Sequence, residues 1–479
     1  MRSSTGDDVS PHGLWQSTLM ANSYRDPYFR AQLERESRGS EELQELCLRC
    51  HAPMAHHDRV LAGQPAPRLH DLESNKLASD GVSCTVCHQI TSEGLGTEST
   101  LSGQPVLGKE RKIFGPFAHP VEAPMRNMVG YTPVEASHVR TSALCGTCHT
   151  LTTAHHGALF PEQTPYFEWR NSEFSDETGA TETSRTCQQC HMPETGRTRI
   201  ARNPMGREFL IPVRDGYRAH AFVGGNAFML RLLADNREEL GVEASSEALQ
   251  RTAASTKRQL GEDTASIEVE GLQREGATLS FSVRVQNRCG HKFPSGYPSR
   301  RAWLHVQVRS AGAVVFESGA FTDDGRLRDI ADEHGLPHVT LVQSPQDVPV
   351  YELIAADPEG NPTTSLARMS QRQKDTRLLP RGYRHDGPHA EATIPVGIGS
   401  DIDFTAGGDA VGSRIDLPES AHGTLQVVAW LHYQTVPPHW VDALRGETGE
   451  HAARFVRLYD AADKTPETIA VVTATVGGN

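Results

Sequence analysis

The chain lacks any run approaching the roughly 18 uninterrupted apolar residues that a membrane-spanning helix needs. With 37% hydrophobic residues it reads as a water-soluble globular chain with no membrane span. It also lacks any excess of positive charge. Forty-seven Lys and Arg stand against 60 Asp and Glu, a formal net charge of −13, and nucleic-acid binding would call for a basic face. A basic protein or a small carrier is the partner such a surface favours. The first sixteen residues, Met1 to Gln16, have neither a basic start nor an apolar centre, so they form no secretory leader. No nucleophile elbow, phosphate loop or paired carboxylates can be picked out, so no residue is assigned a catalytic role. The nine cysteines are an odd number, and at least one has no intramolecular cysteine partner.

What the cysteines do have is spacing. The chain reads Cys47-Leu48-Arg49-Cys50-His51, then Cys84-Thr85-Val86-Cys87-His88, Cys145-Gly146-Thr147-Cys148-His149 and Cys187-Gln188-Gln189-Cys190-His191. Eight of nine cysteines fall into one CxxCH pattern, repeated four times. Two thiols three positions apart lie on one side of a helical turn, where they can add to the two vinyl groups of one haem. The adjacent imidazole then reaches the iron from the same side, and a neutral imidazole nitrogen is a good ligand for iron. Two zinc sites of four thiolates each are the first alternative, one from Cys47, Cys50, Cys84 and Cys87, the other from Cys145, Cys148, Cys187 and Cys190. Zinc does not require a histidine after every second cysteine. Four disulfides would not require it either, and would join near neighbours badly. The pattern therefore predicts four c-type haems with His51, His88, His149 and His191 as proximal ligands. Such attachment takes place outside the cytoplasm, so a periplasmic or extracellular location is expected, with a leader removed ahead of Met1.

Residues 1–222 hold all four motifs, and the stretches between them are rich in Gly, Pro, Ser and Thr. Such a segment cannot build an ordinary core; porphyrins would supply the apolar mass. Short helices are expected ahead of the motifs, as over Ser40–Leu46. A connector over 223–263 predicts two helices. The first is capped by Asn226, with Phe228, Met229, Leu232 and Leu233 in one stripe and an end near Gly241. The second starts near Ser246, with Leu249, Ala253 and Leu260 on one face. From 264 to 479 the period becomes two. Leu279, Phe281, Val283 and Val285 alternate, as do Ala302, Leu304, Val306 and Val308, and Leu425, Val427, Ala429, Leu431 and Tyr433. This predicts an all-β sandwich, and an α+β protein overall, with the strand order of 318–424 left open.

The sequence resembles the multihaem c-type cytochromes, above all the tetrahaem group of nitrifiers and its relatives fused to a β domain. Beyond the motifs, the likeness rests on Leu14-Trp15-Gln16-Ser17-Thr18-Leu19-Met20-Ala21-Asn22 with Arg25-Asp26-Pro27. It also rests on Phe160-Pro161-Glu162-Gln163 with Glu168-Trp169, and on Gly290-His291-Lys292-Phe293-Pro294-Ser295-Gly296. The family includes electron carriers, filament-forming cytochromes and enzymes. The resemblance implies that His138, seven residues before Cys145, and His291, in its Gly-His-x-x-Pro phrase, are distal haem ligands.

Nineteen of 23 histidines remain after the proximal four, and most must be ordinary residues. His220 stands out because Gly224 and Gly225 follow it, where glycine would let a flat cofactor approach the backbone. The fourth distal ligand is open. Met20 would raise the potential of its haem through a thioether; His119, His70, His56, His57 and His12 compete. Cys289, close to His291, is expected to be a buried reduced thiol. The leading functional expectation is electron transfer through closely spaced haems, with redox proteins or small electron carriers as partners. A second is an oxidoreductase acting on a small nitrogen or sulfur compound at a five-coordinate haem, for which Tyr131, Arg140 and His155 are candidate residues. A third is a homo-oligomer or filament of this cytochrome.

Overall fold

Beyond residue 264 the strands form where the alternation places them, and their side chains explain why. In a computed structural model that describes residues 1, 8–38, 40–155, 158–200 and 211–477, the chain is α+β and divides into two compact units. One comprises 1–151, 185–256 and 447–460; the other comprises 152–184, 257–446 and 461–479. The strands in chain order are β1 (Lys112–Gly115), β2 (Thr132–Glu135), β3 (Leu151–His155), β4 (Ala158–Gln163), β5 (Ala265–Glu275), β6 (Thr278–Asn287), β7 (Arg301–Ser310) and β8 (Ala313–Ser318). They continue as β9 (Leu341–Val342), β10 (Val350–Ala356), β11 (Pro362–Thr363), β12 (Gln371–Asp375), β13 (Gly408–Asp416), β14 (Leu425–Gln434) and β15 (Glu467–Val476).

In the second unit, one sheet runs β11-β10-β7-β14-β15, with β12 also on β10 and β8 also on β7. The other runs β5-β6-β13-β9. Pairing is antiparallel except between β13 and β9. The registers set like against like, Val283 opposite Val411 and Val308 opposite Val427. Leu279, Phe281, Val283 and Val285 of one sheet share a buried core with Leu304, Val306, Val427 and Leu431 of the other. Each such side chain contributes about 1.5–3 kcal/mol relative to exposure. Two sheets sharing one core make a sandwich, but 264–479 is not all β as expected: the helices Pro438–Arg445 and Glu450–Ala461 interrupt it, their apolar residues recurring at helical spacing. The stretch 318–424 is not merely loop. It supplies β9 to β13 and shields the outer face of β7, where Trp303 is buried and its Nε1 donates to Gly319 O at 2.8 Å. Positions between the alternating residues of β7 are therefore buried too, which the period-two pattern did not show.

The first unit is built differently. Its clusters are small: Tyr24, Leu33, Leu48, Ala52, Ala55, Leu72 and Ala78 in one, and Leu230, Leu233, Val242, Leu249 and Ala253 among those of another. Both connector helices form, over Ala227–Asp235 and Ser246–Gln259. Asn226 caps the first, its Oδ1 accepting from Met229 N at 3.1 Å. That helix stops at Asp235 rather than near Gly241, because Asn236 leaves helical geometry there. The helix Glu450–Ala461 sets Phe455 and Tyr459 against Tyr28 and Phe228.

The compact units are thus discontinuous in sequence, unlike the continuous division at 222 and 264. Residues 152–184 sit with the strands because Glu168 is tied to Lys292 N and Ser295, and ion-paired with Arg377. This second unit holds a fully buried charge network. Lys292 Nζ lies 2.7 Å from Asp375, Arg377 lies 2.8 Å from Asp375, and Lys374 lies 3.0 Å from Glu352. Burial pushes Lys292 down to about 8, against the pull of Asp375.

Candidate haem-binding site

Each CxxCH motif is folded as a short turn of helix, which is what puts its two thiols on one side. The first ends the helix Glu41–His51, whose Ser40 cap accepts from Leu43 N at 3.3 Å. The second and fourth form the helices Cys84–Gln89 and Cys187–His191, and the third follows on from Ser142–Gly146. Short helices also precede the second and third motifs, over Lys76–Ser79 and Ser137–Arg140, as expected; the fourth motif is itself the helix.

Three of the four expected proximal histidines share one arrangement. His51 Nδ1 lies 3.3 Å from Ser23 O, His88 Nδ1 lies 2.5 Å from Phe114 O, and His191 Nδ1 lies 2.6 Å from Val223 O. A carbonyl oxygen can only accept, so in each ring Nδ1 carries the hydrogen and Nε2 keeps the lone pair. Histidines that bind a metal through Nε2 are commonly held this way from behind. Burial lowers His51 to about 4 and also lowers His88, so both are neutral at physiological pH, as ligation requires. Phe29 stacks flat on His51, with ring centres 3.7 Å apart and planes 4° from parallel. His149 takes its place through its backbone N, which donates to Cys145 O at 2.9 Å.

The motifs converge. The Cys50 thiol shares a hydrogen bond with Cys148, and Cys145 shares one with Cys187. These contacts, more than burial, hold Cys50 and Cys145 protonated, while burial pushes Cys87 up to about 12. Among the described residues no three motif cysteines or histidines offer ligand atoms within 4.8 Å of one another, so the four-thiolate grouping that zinc would need is not formed. The loop at Gly103 enters between the first and third motifs. Gly103 N donates to Thr147 O at 2.8 Å, and a Cβ on Gly103 would meet Cys50 Sγ at 2.8 Å. Its φ of +72° suits glycine as well.

Of the distal candidates, His220 has the most telling position. Its ring lies 6.1 Å from that of His88, centre to centre, with planes 26° apart. A metal bound by two imidazoles at about 2 Å per bond leaves their ring centres about 6 Å apart. His220 Nδ1 is buried with no hydrogen-bond partner, and burial followed by His88 lowers the ring to about 4. Three residues on, Val223 holds the His191 ring, so one loop serves two motifs. Nothing stands within 4 Å of where a Gly224 Cβ would be.

His138 donates from Nε2 to Ile90 O at 2.8 Å, which leaves the lone pair on Nδ1, and sets its ring edge-on to Phe114. His291, in the second unit, has Nδ1 2.8 Å from Lys292 O. Met20 is half-buried; its carbonyl accepts from Val82 N at 2.9 Å and packs against Gly81 at the entry to the second motif. His56 and His57 are the sheltered competitors: His56 is buried with Nε2 3.5 Å from Glu45, and His57 has Nε2 buried and unpartnered and its ring lowered to about 4 by burial and then His56. His12, His70 and His119 are exposed. The side chain of His155, and His156 entirely, lie outside the described residues. Cys289 is half-buried rather than buried as expected, with its thiol 3.6 Å from Thr264 O.

Sequence reasoning missed the groups behind the expected ligands, namely the carbonyls of Ser23, Phe114 and Val223 and the Phe29 ring. Every residue carries a carbonyl, so only tertiary structure selects these. Thr85 of the second motif also donates to Met54 Sδ at 3.2 Å, a thioether three residues beyond His51 that the sequence offered without distinguishing it.

No family model matches the chain. No curated protein matches it either. Among solved structures, its fold is similar to the crystal structure of a penta-haem cytochrome c552 from Thermochromatium tepidum, with 17% identity and a TM-score of 0.56, over 98% of this chain and 96% of that one.

Proposed function

We propose that this chain is a multihaem c-type cytochrome that carries electrons through four covalently bound haems outside the cytoplasm. The observation that carries the proposal is the repeated proximal arrangement: an imidazole directly after CxxC, with Nδ1 held by a backbone carbonyl, at His51, His88 and His191. A tetrathiolate or disulfide framework gives no reason for that repetition. Similarity to a protein described as a penta-haem cytochrome c552 supports the same reading, with four attachment motifs here.

Each site takes its thioether bonds from one thiol pair: Cys47 and Cys50, Cys84 and Cys87, Cys145 and Cys148, Cys187 and Cys190. His51, His88, His149 and His191 are the proximal ligands. His220 is the distal ligand opposite His88. His138 serves as a further distal ligand, and Met20 or His57 as another. Bound haem supplies one-electron chemistry at iron, and the chain's part is to attach, orient and tune it. The carbonyls behind the proximal rings fix the tautomer and raise ligand basicity. Burial keeps the His51, His88 and His220 imidazoles neutral. The net charge of −13 steers basic redox proteins or cationic carriers.

Optical and spin-state spectra of the oxidised and reduced protein test the role. Wholly low-spin ferric haem, reducible in four one-electron steps, is the expected result. A substantial high-spin ferric fraction would instead place an open iron in the resting protein and favour chemistry on a small nitrogen or sulfur compound.

A further inference from the structure

The second unit holds a cluster that the haem reading does not use. His338 lies in the segment before β9, Asp401 in the loop before β13, and Asp409 on β13 itself. Their ligand atoms lie within 4.8 Å of one another. All are sheltered: the side chains of His338 and Asp401 are 5% and 4% exposed, and Asp409 is 1% exposed.

Each carboxylate is held by one oxygen from behind. Asp401 Oδ1 accepts from Asp403 N at 2.9 Å and Phe404 N at 3.3 Å, while Oδ2 faces His338 Nε2 at 2.7 Å. Asp409 Oδ2 accepts from Tyr351 OH at 2.9 Å. Asp409 Oδ1 is buried and has no hydrogen-bond partner. Phe404 sets its ring edge against His338 and excludes water from that side. The charged groups acting on Asp409 are Asp401, which opposes its ionisation, and His338, which favours it. Two buried carboxylates therefore face one imidazole, and an oxygen is left over. Burying an unsatisfied carboxylate oxygen is costly unless a cation or a proton meets it.

We propose that His338, Asp401 and Asp409 form a binding site for a divalent metal ion of the zinc class. One imidazole with two carboxylates suits zinc better than calcium or magnesium, which take all-oxygen shells of six or more ligands. Three protein ligands leave room for one water to complete four-coordination. Tyr351 and the backbone of 403–404 are the outer groups that orient the carboxylates. Bound metal would join three segments that are far apart in the chain and pin the loop that carries Asp401 to the sheet.

The test uses the haem-loaded full chain. Elemental analysis after dialysis is expected to find about one zinc per chain beside the iron. Chelation with EDTA is expected to lower the melting temperature by roughly 5–10 °C, and added zinc to restore it. Asp409→Asn and His338→Gln should each lose the zinc while keeping the wild-type haem absorbance per chain, which shows that they still fold. The melting temperature of Asp409→Asn should respond to neither EDTA nor zinc. Wild-type protein that carries no zinc and melts identically with EDTA or added zinc overturns the proposal, as do variants that retain a full equivalent.

Discussion

Removing the His220 ring tests the sharpest geometric statement about the haem sites. Its ring and that of His88 lie 6.1 Å apart at 26°, the separation about 4 Å of metal–nitrogen bonding would leave. In His220→Gly one haem of four loses an axial ligand and the other three keep theirs. About one quarter of the ferric iron should therefore turn high-spin, given four attachment motifs. The ferrous variant should bind one more carbon monoxide per chain than wild type. Added imidazole, which fits the space of the missing ring, should return the spectrum to low-spin. Electron paramagnetic resonance with spin counting reads the fraction directly. His70→Gly, at a ring 74% exposed on its side chain, is the control and should change nothing. A His220→Gly protein that stays wholly low-spin without imidazole refutes the pairing. A high-spin fraction near one half would mean that the loop serves two irons as ligand, not one.

Other consequences follow from the packing. Glu168→Gln removes one of the two carboxylates that face Lys292 and Arg377 in the buried network, and should cost about 3–5 kcal/mol in denaturant melts of the second unit; a change below about 1 kcal/mol would show that the network is not sealed from water. His432 is buried and lowered to about 3, first by burial and then by His305. Its folded value lies below the unfolded one, so its contribution is complete above about pH 6.5 and is lost as pH falls towards 3. From pH 7 to pH 5 it should remove about 2 kcal/mol, and His432→Gln should flatten that slope in urea melts. Gly103→Ala places a Cβ against Cys50 Sγ at φ +72°. It should cost about 1–2 kcal/mol from backbone strain alone and yield protein short of the haem at Cys47 and Cys50, counted by mass spectrometry.

The β sandwich was legible because period two is a direct imprint of burying one face of a strand. Leu279, Phe281, Val283 and Val285 all point into the shared core. The same imprint fails on β7, where Trp303 is covered by a later segment, and in 318–424, where strands of two residues such as β9 and β11 are too short to carry a period. The CxxCH motifs stand out in the sequence because the covalent chemistry expected of them demands fixed residue types at fixed spacing. Distal ligands obey no such spacing. His220 could be proposed from the glycines after it, but its facing of His88, 132 positions earlier in the chain, is a tertiary fact. The placement of 152–184 and 447–460 across the expected boundaries was illegible for the same reason, since it turns on single partners such as Glu168 with Arg377.

The most direct test of the account is the intact mass of the mature chain, taken with its pyridine haemochrome spectrum. The account predicts four haem-sized increments per polypeptide and four c-type haemochromes. A bare polypeptide mass, or iron replaced by zinc at the paired thiols, would contradict it.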